Sequence, residues 1–375
     1  MTLPLSRLVR RDLLEIAPYV PGKPLESLQR VLGVQDIHKF ASNENAFGPS
    51  PRAIEAMRRA AADVHRYADA GGVKLRERIS ARLSVSPGHV LPTSGSNEMI
   101  LLACQAFLSP GDEVVLHHPA FLMYPIAVRG VGGVPVLVEG ADHGIDLDAM
   151  LAAVTPKTKM VFVCSPNNPT GDIVEAEALD RFLAALPPHV VVMLDEAYHE
   201  YVDHPRYPSG VARMLARPQQ PIIVLHTFSK AFALASIRVG YGAMQPELVQ
   251  VFERIRQPFN VNGMAQAAAI ASLEDEDQVA RSVTATRAAM GPLAEGLRSL
   301  GVQVRPSHAN FLFCRFPRDT RPICAALEQM GLIVRPLLAF GLDETYTRIT
   351  VGRPEENARL LTALQSVLAS ATNPR

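Results

Sequence analysis

Short apolar runs recur along the chain, with longer stretches of helical spacing between them. The runs "DEVVLHH" (112–118), "VPVLVEG" (134–140), "KMVFVCS" (159–165), "VVVMLDE" (190–196), "PIIVLHT" (221–227) and "IRVGYGA" (237–243) read as strands. Several are apolar without alternation, the pattern of strands covered on both faces. Stretches such as "EAEALDRFLAAL" (175–186) place apolar residues three and four apart, as on one face of a helix. This rhythm predicts an α/β fold, a mostly parallel sheet sandwiched by helices.

The pattern changes in the last third. "MAQAAAIASLEDEDQVARSVTATRAAMGPLAEGLRSLG" reads as one long helical stretch, followed by the strands "ANFLFCRF" and "TRITVG" around a further helix. A smaller α+β domain is expected there. The first 40 or so residues are rich in proline and lack a core pattern, so they are expected to drape over a neighbour. The division expected is an arm and part of the small domain over 1–40, a large domain over 41–275 and a small C-terminal domain over 276–375.

Composition narrows the function. Hydrophobic residues make up 48% of the 375, enough for a large core. Basic and acidic residues balance at 37 each, so no basic excess exists to neutralise a nucleic-acid backbone. No apolar run reaches the ~18 residues of a membrane span, and the N-terminus has no continuous apolar signal region. Cys104, Cys164, Cys314 and Cys324 form no paired motif and sit in apolar runs, as reduced core thiols of a cytoplasmic protein do.

Polar clusters follow the strands directly, where open α/β sheets bind their ligands. Asp195 ends five apolar residues, a desolvated place that demands a cation or a donor. A helix cap or a structural ion pair accounts for a lone aspartate equally well. "SPNNPTG" is a turn by composition, in which Pro169 holds Asn168 extended. "TSGSNE" opens an apolar helix, where backbone N–H groups attract anions or are simply capped. "TFSKAFALASIRVGY" sets Lys230 in apolar surroundings with Arg238 eight residues on. An amine shielded near another cation loses proton affinity and becomes a nucleophile toward carbonyl groups. Pyridoxal phosphate uses such a lysine through a Schiff base.

Taken together, "ASNENAFGPSP", "HRYADAGGVKLRERIS", "GSNE", "HPAFLMYP", "SPNNPTG", "DEAYHEY", "TFSKAFALASIRVGY", "PFNVN", "PSHANFLF", "IVRPL" and "TRITVGRPEEN" resemble the fold-type I pyridoxal-phosphate aminotransferases, most closely their histidinol-phosphate branch. The resemblance implies pyridoxal 5'-phosphate bonded to Lys230, with Asp195 on its ring nitrogen and Asn168 and Tyr198 on its phenolic oxygen. It implies a phosphate held by Ser96, Asn97, Ser229 and Arg238, and Phe121 stacked on the ring. Tyr67 would reach that phosphate from a second subunit, making the site that of a homodimer. Tyr19, Arg335 and Arg348 would take the substrate anions, with Asn168 beside them. Lys230, Asp195 and Tyr198 would carry the chemistry. The implied reaction passes an amino group between histidinol phosphate and 2-oxoglutarate in histidine biosynthesis. An aromatic amino-acid aminotransferase or an O-phosphothreonine decarboxylase would use the same scaffold. Ala46 stands where the pattern has proline, Asn97 where aspartate is frequent, and Phe121 where tyrosine is common.

Other motifs point elsewhere only weakly. In "HEYVDH" the histidines are five apart, which does not put two metal ligands on one helical face, and no metal is expected. "GVGG" runs into a strand, not a helix, so it is no dinucleotide loop. "EDED" (274–277) reads as a solvated helix segment or turn.

Overall fold

A computed structural model describes residues 5–19 and 36–370 of the chain. The strand β1 (His38–Lys39) precedes seven that share one sheet. These are β2 (Val90–Thr93), β3 (Glu113–His118), β4 (Val134–Glu139), β5 (Thr158–Cys164), β6 (Val191–Asp195), β7 (Ile222–Thr227) and β8 (Gly240–Ala243). Their order is β2-β8-β7-β6-β5-β3-β4. Only β8 runs against its neighbours β2 and β7, so the sheet is mostly parallel.

Alternation within the buried strands divides two cores. Met160 and Phe162 of β5, Val191 and Met193 of β6, and Ile223 and Leu225 of β7 pack on one face. Val161, Val192, Leu194, Ile222 and Val224 pack on the other. Helices cover both faces, which is why the strands read as continuous apolar runs. Each fully buried Leu, Ile or Val here contributes about 1.5–3 kcal/mol. A polar side chain at the end of such a strand must therefore be bonded or put to use.

The C-terminal part has its own core and a four-stranded sheet. It comprises β9 (Gln303–Val304), β10 (Phe311–Arg315), β12 (Arg335–Pro336) and β13 (Tyr346–Thr350), in the order β12-β13-β10-β9. The remaining strand, β11 (Leu332–Ile333), pairs in parallel with β1. Phe40 joins Leu293, Leu312, Ile349 and Leu360 in this core, so the chain just after β1 is anchored here. Nearer the N-terminus, Arg10 bonds the carbonyl of Gly130; of the expected arm over 1–40, residues 1–4 and 20–35 lie outside the described part.

Two expectations are corrected. The long C-terminal helical stretch is two helices, Gly263–Leu273 and Glu276–Ser299. At the break Asp275 leaves the helical backbone, and distant residues hold it: the Ser50 hydroxyl donates to Asp275 and Arg52 donates to the Glu274 carbonyl at 3.0 Å. Arg78 and Arg82 pair with Glu274 and Glu276 at this break, and "EDED" is the solvated turn and helix start that its charge implied. The strand expected from Ile237 begins only at Gly240, because Arg238 adopts a left-handed backbone at φ 59°.

Candidate active site

The ends of β5, β6 and β7 lie side by side at one edge of the main sheet, with Cys164 opposite Asp195 and Asp195 opposite Leu225. Asp195 is the last residue of its strand and is buried. Its Oδ2 accepts the Tyr124 hydroxyl at 2.6 Å and its Oδ1 accepts the Ala197 N–H at 3.0 Å. Burial drives its carboxyl above the usual range, against the pull of those donors. The Tyr124 ring is held by Phe162 at 4.8 Å and, edge-on, by Phe121 at 5.6 Å. Burial and the Asp195 charge keep the Tyr124 phenol protonated, so it stays a donor.

Lys230 lies in the loop after β7. Its Nζ sits 3.3 Å from the carbonyls of both Ser42 and Asn43 and 5.6 Å from the centre of the Tyr198 ring. Neither carbonyl is an anion, so nothing in contact repays the loss of water around an ammonium. Burial first, then the cations of Arg348 and Arg238, push the amine down to about 7; Glu44 and Asp195 oppose this. A group that would be fully charged in water is thus poised between charged and neutral near physiological pH.

An anion cradle adjoins the amine. The helix Ser96–Phe107 starts without a side-chain cap, leaving its first N–H groups directed outward. Arg238 Nη1 donates to the Ser229 hydroxyl at 3.2 Å and to the Ala235 carbonyl at 2.9 Å. The parts approach so closely that a Cβ on Gly95 would lie 2.3 Å from Arg238 Nη2, and one on Gly240 would lie 2.8 Å from the Ser96 nitrogen. Glycine at both places lets the guanidinium and the helix start converge.

The opposite wall comes from the C-terminal part. Arg348 of β13 donates to the Asn168 side chain, and to the Ala41 carbonyl at 2.7 Å, while its guanidinium lies 5.3 Å over Phe311. Burial pushes it down to about 10. Arg335 sits opposite Arg348 in register. Tyr198 is buried, and its hydroxyl oxygen accepts from Asn43 at 2.9 Å.

These groups surround a cavity of about 200 Å³. Every site residue expected from the sequence borders it, from Tyr19, Ser96, Asn97 and Phe121 to Asn168, Ser229, Arg335 and Arg348, with the exception of Tyr67. Tyr67 is 84% exposed and stacks on Phe259 at 4.4 Å, away from the cavity. The chemistry is coherent: a poised amine, a buried acid, an anion cradle and a pair of guanidinium groups face one space.

A family model described as aminotransferase class I and II matches residues 35–364. The chain belongs to that family. Among curated proteins, this aminotransferase is 43% identical over 360 residues to a histidinol-phosphate aminotransferase of Moorella thermoacetica, covering 96% of this chain and 93% of the other. It is 44% identical over 357 residues to histidinol-phosphate aminotransferase 2 of Pseudomonas aeruginosa, covering 95% and 96%. Among solved structures it matches histidinol-phosphate aminotransferase from Sinorhizobium meliloti in complex with pyridoxal-5'-phosphate. That match has a TM-score of 0.87 and 29% identity, over 96% of this chain and 98% of that one.

Sequence reasoning passed over Tyr124, Asn43 and Glu44, which also border the aminotransferase cavity. Tyr124 had a signal: it lies three residues after Phe121, one helical turn along "FLMY". The histidines of "HEYVDH" are separated in space. His199 lies beside His226, with ring centres 4.1 Å apart, and His204 lies beside His308 at 5.6 Å.

The Tyr124–Asp195 bond yields a direct test of the aminotransferase floor. Tyr124→Phe keeps the ring and strands Oδ2 of a buried carboxylate, at an expected stability loss of about 1–3 kcal/mol. Urea unfolding at neutral pH should show it as a lower midpoint with an unchanged slope. The loss should shrink in acid, where Asp195 is protonated.

Proposed function

We propose that this chain is a pyridoxal-phosphate-dependent transaminase that exchanges an amino group between histidinol phosphate and 2-oxoglutarate. In the reverse sense it would turn imidazole acetol phosphate and glutamate into histidinol phosphate. The observation that carries the reading is the poised Lys230 amine facing Asp195 beside an anion cradle, all bordering one cavity. The relatives named above support the choice of substrate.

The residues present fit the cofactor. Arg238, Ser229 and the helix start at Ser96 and Asn97 suit its phosphate, and the absence of a side chain at Gly95 and Gly240 lets them converge. Asp195 suits its ring nitrogen, Phe121 its ring face, and Asn168 and Tyr198 its phenolic oxygen. When bound, pyridoxal phosphate supplies an aldehyde for the amino group and a protonated ring that spreads the charge left behind by a departing proton.

The chain's own part is then acid–base work and grip. Lys230, near neutrality in its free form, takes the proton from the substrate carbon and returns it. Asp195, oriented by Tyr124 and Ala197, holds a proton on the nitrogen it faces. Arg348 and Arg335, with Tyr19 at the rim, take the phosphate of one substrate and the carboxylate of the other in turn.

We read the chain as an arm over 1–40, a large domain over 41–275 and a small domain over 276–375. The exposed Tyr67, near the exposed Val64 and Val73, is read as serving a second subunit's site in a homodimer. Among the described residues no helix is long and apolar enough to cross a membrane; we place the protein in the cytoplasm.

The deciding experiment incubates the protein and pyridoxal phosphate with histidinol phosphate and 2-oxoglutarate and assays glutamate. Turnover at least tenfold above that with phenylalanine upholds the reading. A wide margin for phenylalanine, or release of carbon dioxide from an O-phospho amino acid, would replace it. Arg348→Lys, which keeps the charge and loses the fork, should raise the KM for glutamate roughly 10- to 100-fold.

A further inference from the structure

Behind Asp195, on the other face of the main sheet, lies a polar row with no part in the scheme above. Successive strand residues point to opposite faces, so Asp195 turns toward the cavity and Glu196 turns away. Glu196 Oε1 accepts the Gly210 N–H at 2.7 Å, and its Oε2 lies 2.9 Å from His226 Nε2. His226 Nδ1 in turn lies 2.9 Å from the Tyr241 hydroxyl. His226 and Tyr241 are opposite in register across β7 and β8, and the Glu196 N–H bonds the Leu225 carbonyl at 3.0 Å. The row therefore ties together the ends of the strands that carry Asp195, Lys230 and Arg238. All three side chains are buried, yet Glu196 and His226 border a groove open to solvent on the far face, with His199, Tyr207 and Arg82.

The donors and acceptors of this row can be satisfied in two senses. In one, Tyr241 donates to Nδ1 and Nε2–H donates to an ionised Glu196. In the other, Glu196 carries a proton and donates to Nε2, while Nδ1–H donates to the Tyr241 oxygen. The two differ by one proton, and in both the histidine is neutral. Burial pushes the Glu196 carboxyl up to about 7 and His226 down to about 4, so the carboxyl takes the proton first. The groups around the row are mixed. His199 and Arg213 favour the anion at Glu196, Glu200 raises and Arg82 lowers His226, and Asp195 and Tyr207 stand on the remaining sides.

We infer that Glu196, His226 and Tyr241 are positioning residues whose exchangeable proton, drawn from the far groove, sets the charge behind Asp195 and so how firmly Asp195 holds its own proton. An ionised neighbour raises the proton affinity of Asp195; a neutral one relaxes it. The inference rests on the reading of Asp195 and Lys230 as the working floor of the site.

The test uses wild-type protein and Glu196→Gln, each with and without pyridoxal phosphate, the histidines labelled with nitrogen-15. In the wild type the His226 nitrogens should exchange protonated and unprotonated signatures between about pH 6 and pH 8. Lys230 is present in both proteins, so the ratio of their kcat/KM values isolates Glu196. That ratio should change roughly three- to tenfold across the same interval. A His226 tautomer that stays fixed, or a ratio that stays flat, overturns the inference. If Glu196→Gln fails to fold, the wild-type tautomer decides alone. Absence of a visible coenzyme band would instead refute the site reading, and the tautomer exchange, legible without coenzyme, keeps the two failures apart.

Discussion

Lys230→Ala is expected to lower kcat by about 10⁴-fold or more, because on the proposed reading it would remove both the covalent anchor and the proton carrier. The coenzyme would be held by its phosphate and ring contacts alone, and borohydride would no longer fix it to the chain. The coenzyme-free variant should at the same time be more stable than the wild type. Folding lowers the Lys230 amine from its ordinary 10.5 to about 7, so the folded chain is penalised for carrying that charge. The penalty is fully present below pH 7 and fades as pH rises toward the ordinary value. Melting curves of the two coenzyme-free proteins should therefore differ most in mild acid and converge in alkali. Trapping of added pyridoxal phosphate on the wild type should rise through pH 7 and level out about one unit above it. If trapping instead climbs steadily to pH 10, the amine is not poised as described.

Asp195→Asn should cost roughly 10²–10³-fold in kcat, the usual scale for losing one preorganised charge. It nearly preserves shape and can still accept the Ala197 N–H. What it cannot do is balance a proton on a ring nitrogen, so coenzyme should also dissociate faster. Stability should move the other way. The Asp195 carboxyl is raised by burial, so its contribution is favourable in acid and is lost as pH rises through the raised value. At neutral pH the coenzyme-free Asn variant should melt above the wild type, and below the ordinary carboxylate range the gap should close. Gain in stability with loss of turnover is the mark of a residue kept for chemistry. A variant that is both less stable and fully active would remove Asp195 from the site.

Both residues could be singled out from the sequence because they interrupt apolar runs at strand ends, where only use or bonding offsets the cost of burial. The strands themselves were legible for the same reason: covered on two faces, they show no polar alternation to confuse them with surface. What escaped depended on contacts between segments far apart in the chain. Asn43 meets Tyr198 across 155 positions, and no local pattern announces that meeting. Ser50 reaches Asp275 across 225, at the break between two helices that the apolar pattern ran together. Arg238 takes a left-handed backbone that arginine seldom adopts, so the start of β8 could not be read from apolarity. Tyr124 was hidden by company: within "FLMYPIAV" its ring looks like core, which it is, while its hydroxyl serves Asp195.

The grip of Arg348 on Asn168 and on the Ala41 carbonyl has one more implication. These two acceptors take one hydrogen from each terminal nitrogen and set the plane of the guanidinium, while its buried Nε has no partner among the described residues. An incoming acid can therefore add to these bonds without breaking them, on a fork whose direction is already fixed. A full negative charge offsets the cost of keeping this cation buried; a neutral carbonyl or hydroxyl offsets far less of it.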